Sequence, residues 1–258
     1  MSEREFAVVD THCHIGLHKY EPVEVLLFHM ERAGVDQAVF IQYLGNTDNS
    51  YIVDVMQTHP GRFAAAMIVP DDDDGSAVRR WADQGIIGIR LLADFRGRGA
   101  DPLAHWRAAA DLGLVVSVFS RPDILQSAEF SEVLRRFPNL SLVVEHLGGV
   151  SPETDLEEFK AITGLAQYDN VTIKLPGFGE FCHLPCPFGH VPPLAELTLE
   201  AFGPQRTMWG SDWPPVSTRE GFDSSLAFPL EYLSGLSEDE RAWIFGKTAH
   251  KVWRLNSL

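Results

Sequence analysis

Two histidines end the first apolar run of the chain, Val8-Val9-Asp10-Thr11-His12-Cys13-His14. Alternate residues of a β-strand share one face, so this spacing predicts that His12 and His14 project side by side, with Asp10 on the same face. Cys13 then points the other way and is expected to be a small buried residue rather than a nucleophile. An isolated His-x-His pair is also common as two hydrogen-bonded core histidines, so its interpretation depends on the rest of the chain.

A second stretch lies near the other end of the chain, Met208-Trp209-Gly210-Ser211-Asp212-Trp213-Pro214. It contains a carboxylate that could complete a site with the two histidines. Asp212 ends an apolar run and is followed at once by a Trp-Pro turn. Two imidazoles and a carboxylate at strand ends are what a mononuclear hydrolytic site needs. Neutral imidazole binds borderline metals, and a carboxylate can take a proton from water.

The composition limits the class of protein. With 258 residues, 45% of them hydrophobic, the chain is within the size of one large α/β domain, taken here as residues 1–258. The formal net charge of -15 argues against nucleic acid or an anionic membrane surface as a partner, because both need a basic patch. Residues 1–5 lack the apolar core of a signal peptide and no stretch is long enough to span a membrane, so a cytoplasmic location is expected. Three cysteines are too few for a disulfide framework.

Apolar strand-like runs alternate with amphipathic helical stretches along the whole chain, which is typical of βα units with parallel strands. The predicted strands are residues 6–9, 37–41, 63–69, 86–91, 115–119, 142–145, 171–175 and 207–210. The predicted helices are residues 22–33, 49–59, 77–84, 103–112, 124–137, 156–167, 194–202, 222–233 and 238–255. Eight strands with helical partners predict a single-domain (β/α)8 TIM barrel, in which the chemistry lies at the C-terminal ends of the strands.

That rule selects polar residues at or just beyond the predicted strand ends. They are His12, His14, Gln42, Tyr43, Arg90, Ser120, Arg121, His146, Lys174 and Asp212. So many ionisable groups from separate strands are not expected in a merely structural barrel. Individually, Arg90 or Lys174 could instead be a solvated cap or an ion-pair partner for the abundant acids.

These motifs resemble the amidohydrolase superfamily. The resemblance rests on Asp10-x-His12-x-His14, Glu145-His146-Leu147-Gly148, Lys174 and Gly210-Ser211-Asp212-Trp213-Pro214. The chain looks most similar to the amidohydrolase-related branch that contains fuconolactonase, rhamnonolactonase, sulfomuconolactone hydrolase and pyrone-dicarboxylate lactonase. Metal-binding members often carry a further histidine on strand five, and residues 115–120 contain none, which counts against the decarboxylases that use it.

The resemblance implies a small-molecule substrate and one of two kinds of site. Either one divalent ion, with zinc favoured, is held by His12, His14, His146 and Asp212, or the same residues act without a metal. In both, Asp212 accepts a proton from the attacking water and returns it to the leaving alkoxide, while the imidazoles or the ion polarise the ester carbonyl.

Substrate contacts are expected from residues around the same rim. Arg90, Arg121 and Lys174 would attract a carboxylate-bearing lactone, with Arg suited to bidentate contact, although a neutral sugar lactone also fits the resemblance. Tyr43 is a further candidate.

The long loop at residues 176–192 is expected to be functional because long irregular loops in compact domains usually are. His183 and His190 could reach the substrate from it. Alternatively, these histidines with Cys182 and Cys186 could bind a structural zinc ion, or the loop could simply pack.

We therefore expect a lactonase-like hydrolase. The alternatives are a non-oxidative decarboxylase of the same superfamily and a barrel that has lost catalysis and only binds a ligand. Barrels are often homodimers, so a homodimer stays open, but no interface can be located from the sequence.

Overall fold

Eight parallel strands form one sheet in sequential order in this computed structural model, which describes residues 6–256. Helices alternate with the strands, which confirms the predicted (β/α)8 barrel. The segment 1–5, on which the expectation about a signal peptide rests, lies outside the described residues. The strands are β1 (Val9–Cys13), β2 (Gln37–Ile41), β3 (Phe63–Met67), β4 (Gly88–Leu92), β5 (Val115–Phe119), β6 (Ser141–Val144), β7 (Val171–Pro176) and β8 (Thr207–Gly210).

The helices form the outer layer and bury their apolar faces against the strands, as Val23, Leu26 and Met30 of the first helix do. The α-helices are Val23–Ala33, Ser50–Thr58, Ser76–Ala82, Ala104–Leu112, Pro122–Leu125, Ala128–Arg136, Leu156–Thr163, Leu194–Phe202, Phe222–Tyr232, Glu238–Ala242 and Thr248–Trp253. Short 3-10 segments lie at Gly164–Gln167, Phe178–Glu180, Pro204–Arg206 and Pro215–Thr218, and a π-helical turn at Trp243–Lys247.

Most predicted elements shift by a few residues at their ends, and two predictions were wrong by more than that. The first strand was expected at residues 6–9, but β1 spans Val9–Cys13, so His12 lies within the strand rather than beyond it. The expected helix at 124–137 is two helices, because the hydroxyl of Ser127 accepts a hydrogen bond from the Phe130 amide at 3.1 Å and starts a second one.

The lower half of the barrel is filled by inward-facing apolar side chains, including Val9, Val39 and Met208. Trp253, at the end of the last helix, belongs to the same cluster and closes the barrel from below. Its ring lies 5.7 Å from Nζ of Lys174, the inward residue of β7. The polar residues above this apolar floor are therefore confined to the C-terminal half of the barrel.

The first and last strands meet at residues that carry the sequence motifs. Cys13 and Trp213 form a parallel bridge, and the amide of Asp212 donates to the carbonyl of His12 at 2.8 Å. Gly210 allows the approach, since a Cβ there would lie 2.8 Å from that of His12. Barrel closure therefore places the motifs of β1 and β8 side by side.

No helix in the part of the chain that the structure describes is both long and apolar enough to cross a membrane. Cys13, Cys182 and Cys186 are free thiols. Cys13 is buried and its Sγ lies 3.4 Å from the Val39 carbonyl, which agrees with the predicted packing role.

Candidate active site

Three histidines surround one carboxylate oxygen at the C-terminal end of the barrel. The Nε2 atoms of His14, His12 and His146 lie 3.5, 3.8 and 3.9 Å from Oδ1 of Asp212. His12 and His14 come from β1, His146 follows β6, and Asp212 follows β8. All four side chains are buried, so the arrangement is fixed by the barrel rather than by a mobile surface loop.

Two of these residues have left-handed backbone conformations, His146 with φ 47° and Asp212 with φ 61°. Such conformations are costly for residues with a Cβ and cluster at functional sites. Gly149 completes the turn after His146 with φ 82°, where a Cβ would run into the carbonyl of Ser120. The glycine pair after His146 thus permits the sharp turn that directs this imidazole inward.

The ring of His14 has a defined hydrogen-bonding state. Its Nδ1 lies 2.6 Å from the carbonyl of Ile41, and because a carbonyl can only accept, Nδ1 must carry the proton. Burial lowers the pKa of His14, which favours the neutral ring. Nε2 of His14 therefore presents a lone pair towards the carboxylate of Asp212.

The ring of His12 is held by Lys174, which lies deeper in the barrel. Its Nδ1 lies 3.2 Å from Nζ of Lys174, and its Nε2 is buried without a hydrogen-bond partner among residues 6–256. Burial and the charge of Lys174 hold the pKa of His12 well below its ordinary value. The Lys174 ammonium can only donate, so Nδ1 of His12 accepts and the proton of the neutral ring lies on Nε2, which faces Asp212. Binding of a metal ion through this nitrogen would require the loss of that proton.

The donor set fits a divalent metal. Ligand atoms of His12, His146 and Asp212 all lie within 4.8 Å of one another, and Nε2 of His14 faces the same oxygen. Imidazole nitrogens with one carboxylate are a normal set for zinc. Among the described residues, no such cluster is formed by the cysteines and histidines of the loop at 176–192, so the alternative of a structural zinc there is not supported.

Asp212 is ionised and its second oxygen is bound elsewhere. Burial alone would raise its pKa, but His146, His14 and Arg219 lower the pKa to about 2. Nη1 and Nη2 of Arg219 both lie 3.1 Å from Oδ2. The sequence reasoning missed Arg219, because it lies in a short irregular segment after the last strand and its only signal was its nearness to Asp212 along the chain.

A buried polar network lies under the histidines. Arg90 binds Glu145 through Nη2 at 2.7 Å and Nε at 3.1 Å, and Ser117 donates to Glu145 at 2.7 Å. Lys174 lies 3.2 Å from Oγ of Ser117, and burial lowers its pKa to about 8 although Glu145 opposes the shift. Arg90 and Lys174, predicted to bind substrate, are thus engaged in contacts within the barrel.

The carboxylate of Asp10 is hydrogen-bonded to other residues of the protein, so its role is structural. It accepts hydrogen bonds from the amide and hydroxyl of Ser211 at 2.8 and 2.6 Å, joining β1 to the end of β8. Burial raises its pKa to about 6 despite these bonds.

An aromatic wall stands beside His14. Tyr20 stacks on its ring with 4.9 Å between centroids, and Tyr43 packs edge-on against Tyr20 at 5.3 Å. Nζ of Lys19 lies 5.0 Å from the centre of the Tyr43 ring. Tyr43, a predicted substrate residue, is therefore near the site, while Tyr20 was missed because it follows the strand by several residues.

No hydrogen bond or ion pair joins the other predicted residues to the histidines within residues 6–256. The side chain of Arg121 is 74% exposed and pairs with Asp123 in its own loop. His183 and His190 are exposed and form no hydrogen bond or ion pair with other residues of the range 6–256. Two further strand-end residues make local bonds: Gln42 binds Asn49 and the Asp48 carbonyl, and Ser120 binds the Arg121 carbonyl.

Two curated relatives are lactone hydrolases by name. The chain is 26% identical to 4-sulfomuconolactone hydrolase of Rhizobium radiobacter over 203 residues, covering 75% of this chain and 66% of that protein. It is 27% identical to L-fucono-1,5-lactonase of Burkholderia ambifaria over 249 residues, covering 88% and 83%. The chain thus spans about two thirds of the length of the first relative.

Solved structures share the fold. A Pseudomonas putida protein proposed to be a 2-pyrone-4,6-dicarboxylic acid hydrolase has a TM-score of 0.79 at 20% identity, over 98% of this chain and all of that one. A zinc-bound amidohydrolase of Burkholderia multivorans has a TM-score of 0.78 at 20% identity, over 97% of this chain and all of that one. The 5-carboxyvanillate decarboxylase of Sphingomonas paucimobilis has a TM-score of 0.69 at 14% identity, over 98% of this chain and all of that one. At these identities the likeness shows the fold alone.

The family assignment comes from the sequence itself. Residues 9–255 match the sequence model of the family described as Amidohydrolase, which spans the barrel and every member of the histidine cluster. The chain belongs to the amidohydrolase family.

Proposed function

We propose that the protein is a lactonase that opens a small cyclic ester by attack of a water molecule activated by Asp212. The observation that carries the proposal is the ionised Asp212 carboxylate, whose Oδ1 faces three buried imidazole nitrogens. The relatives named as sulfomuconolactone hydrolase and fuconolactonase support a cyclic ester as substrate.

Asp212 and the three histidines have different roles in the proposed reaction. Asp212 is ionised at neutral pH, so Oδ1 can accept the proton of a water held among the histidines and then return it to the leaving alkoxide. Nε2 of His14, which carries no proton, can accept a hydrogen bond from that water, while N–H groups of His12 and His146 can polarise the ester carbonyl. When bound by His12, His14, His146 and Asp212, a zinc ion supplies Lewis acidity.

We propose a lactone that carries a carboxylate or derives from a sugar acid. Arg90 and Lys174 contribute positive charge beneath His12 rather than direct contacts, because both are bound within the barrel. Tyr43 and Tyr20 form the wall against which a flat ring can pack. Contacts from His183, His190 and Arg121 remain proposals that rest on the sequence.

A decarboxylase is the competing activity, since a decarboxylase shares the fold. No histidine lies on β5, which counts against it. A cytoplasmic location and a homodimer also remain proposals, and the second is checked by light scattering of the purified protein.

The proposal is tested by incubating the purified protein with three classes of compound. They are a pyrone dicarboxylate, an aldono-1,5-lactone and a carboxylated phenol. Ring opening is followed by absorbance and acid release, and carbon dioxide is measured in parallel. We expect ring opening of at least one lactone without release of carbon dioxide. Carbon dioxide from the phenol with both lactones intact would replace the lactonase by the decarboxylase.

A further inference from the structure

The two oxygens of Asp212 have different partners. Oδ1 faces the imidazoles of His12, His14 and His146. Oδ2 is bound by both terminal nitrogens of Arg219 at 3.1 Å. A guanidinium that bonds one oxygen from two nitrogens resists rotation of the carboxylate, which would otherwise exchange its two oxygens.

Arg219 is itself held on its other sides. Its Nη1 lies 2.8 Å from Oε2 of Glu180, and its Nε lies 3.7 Å from Oε2 of Glu220. The Glu220 side chain is fully buried, and its Oε1 accepts the amide of Gly179 at 3.0 Å. The guanidinium therefore has little freedom to leave Asp212.

Glu180, one of the two glutamates that hold Arg219, comes from the segment that follows β7. Glu180 ends the 3-10 helix Phe178–Glu180, where Gly179 lets the backbone approach the Glu220 carboxylate so closely that a Cβ would overlap it. Three carboxylates thus surround one guanidinium, so the charge of Arg219 is already matched by protein groups. Its contacts all serve to hold protein groups.

We propose that Arg219 is a positioning residue, which fixes Asp212 so that Oδ1 rather than Oδ2 receives the proton of the attacking water. This inference rests on the proposed lactonase function. Glu180 and Glu220 hold the guanidinium in place and thereby connect the catalytic carboxylate to the start of the loop at 176–192.

A positioning role affects turnover more than substrate binding. Loss of the guanidinium lets the carboxylate rotate, and misplacement by about 1 Å can cost on the order of 100-fold in rate. Arg219→Ala should therefore lower kcat by about 10- to 100-fold, with KM changed by less than about 3-fold. Arg219→Lys keeps the charge but loses the two-nitrogen contact, so it should recover only part of kcat.

The experiment compares Arg219→Ala with Arg32→Ala, which removes an arginine from the half-exposed pair with Asp223. Kinetics on a hydrolysed lactone are measured with and without millimolar ethylguanidinium, together with thermal unfolding. We expect ethylguanidinium to restore much of the kcat of Arg219→Ala and to leave Arg32→Ala unchanged. Normal kcat in Arg219→Ala, or a loss of kcat that ethylguanidinium does not restore, would overturn the proposal.

A crystal structure of Arg219→Ala tests the positioning role of Arg219 independently of the proposed lactonase function. We expect the Asp212 carboxylate to be rotated or disordered, whether or not the wild-type protein hydrolyses a lactone. An unchanged Asp212 would overturn the positioning role, whereas a rotated Asp212 in a protein without lactonase activity would contradict only the proposed function. If Arg219→Ala fails to fold, Glu180→Gln, which loosens the anchor and retains the guanidinium, is analysed by the same two measurements, with a smaller loss of kcat expected.

Discussion

Nε2 of His14 lies 3.5 Å from Oδ1 of Asp212, although neither atom carries a proton in the neutral ring and the ionised acid. The Ile41 carbonyl fixes the ring proton on Nδ1, and burial disfavours a second proton. Two electron-rich atoms this close are stabilised by a positive charge between or beside them.

Metal content should follow from this relationship. We expect about one equivalent of zinc in the purified protein by elemental analysis, and its loss in His12→Ala and His14→Ala, because each variant removes a ligand. His59→Ala, at the end of the helix Ser50–Thr58, is the control and should retain the metal. Unchanged zinc in both site variants would place the ion elsewhere.

We expect Arg90 to contribute strongly to the free energy of unfolding, because it pairs with a buried carboxylate. Arg90→Met leaves the buried Glu145 carboxylate without its main partner, which typically costs about 3–5 kcal/mol. Arg32→Met, in an exposed pair, should cost less than about 1 kcal/mol. Urea unfolding of the two variants measures the difference, and equal losses would show that the buried pair has no special weight.

Acid should unfold the protein partly through Glu145. Burial alone would raise its pKa, but the charges of Arg90 and Lys174 lower it from 4.5 to about 2. In the window between these values the unfolded chain takes up a proton that the folded protein does not, so stability falls as pH falls. We expect Glu145→Gln to have a shallower loss of stability between pH 4.5 and 2 than the wild type. An unchanged slope in denaturant titrations across that window would contradict the assignment.

The turn that follows His146 should depend on its glycines. Gly149→Ala combines a φ of 82° with a clash against the carbonyl of Ser120, so we expect it to lose about 1–3 kcal/mol of stability and to misplace His146. Gly164→Ala is the matched control, because Gly164 has a helical φ of -59° and open space around its Cα. Thermal unfolding of the pair checks this, and similar melting temperatures would count against strain at the turn.

The sequence predicted the barrel because the apolar runs alternate regularly with amphipathic helices. It placed His12, His14, His146 and Asp212 together because parallel strands end at one rim. The end of β1 was misjudged because Asp10 and His12 are polar yet fully buried, where hydrogen bonds replace the usual apolar contacts. Periodicity carries no information about such pairing.

The ion pairs that determine which charged side chains are free to contact a substrate could not be predicted from the sequence. Arg90 lies 55 positions from its partner Glu145, and Arg219 lies 39 positions from Glu180 along the chain (219 less 180). Only the closed barrel shows that Arg90 and Lys174 face inward and that Arg121 remains outside.

The most direct test of the account is the turnover number of Asp212→Asn on a hydrolysed lactone, beside that of Asp223→Asn, an exposed acid paired with Arg32. The substitution keeps the volume of the side chain but removes the proton acceptor. We expect kcat to fall by about 100- to 10,000-fold in Asp212→Asn, with a folded protein, and to stay unchanged in Asp223→Asn. Near-normal turnover in Asp212→Asn would contradict Asp212 as the group that activates water.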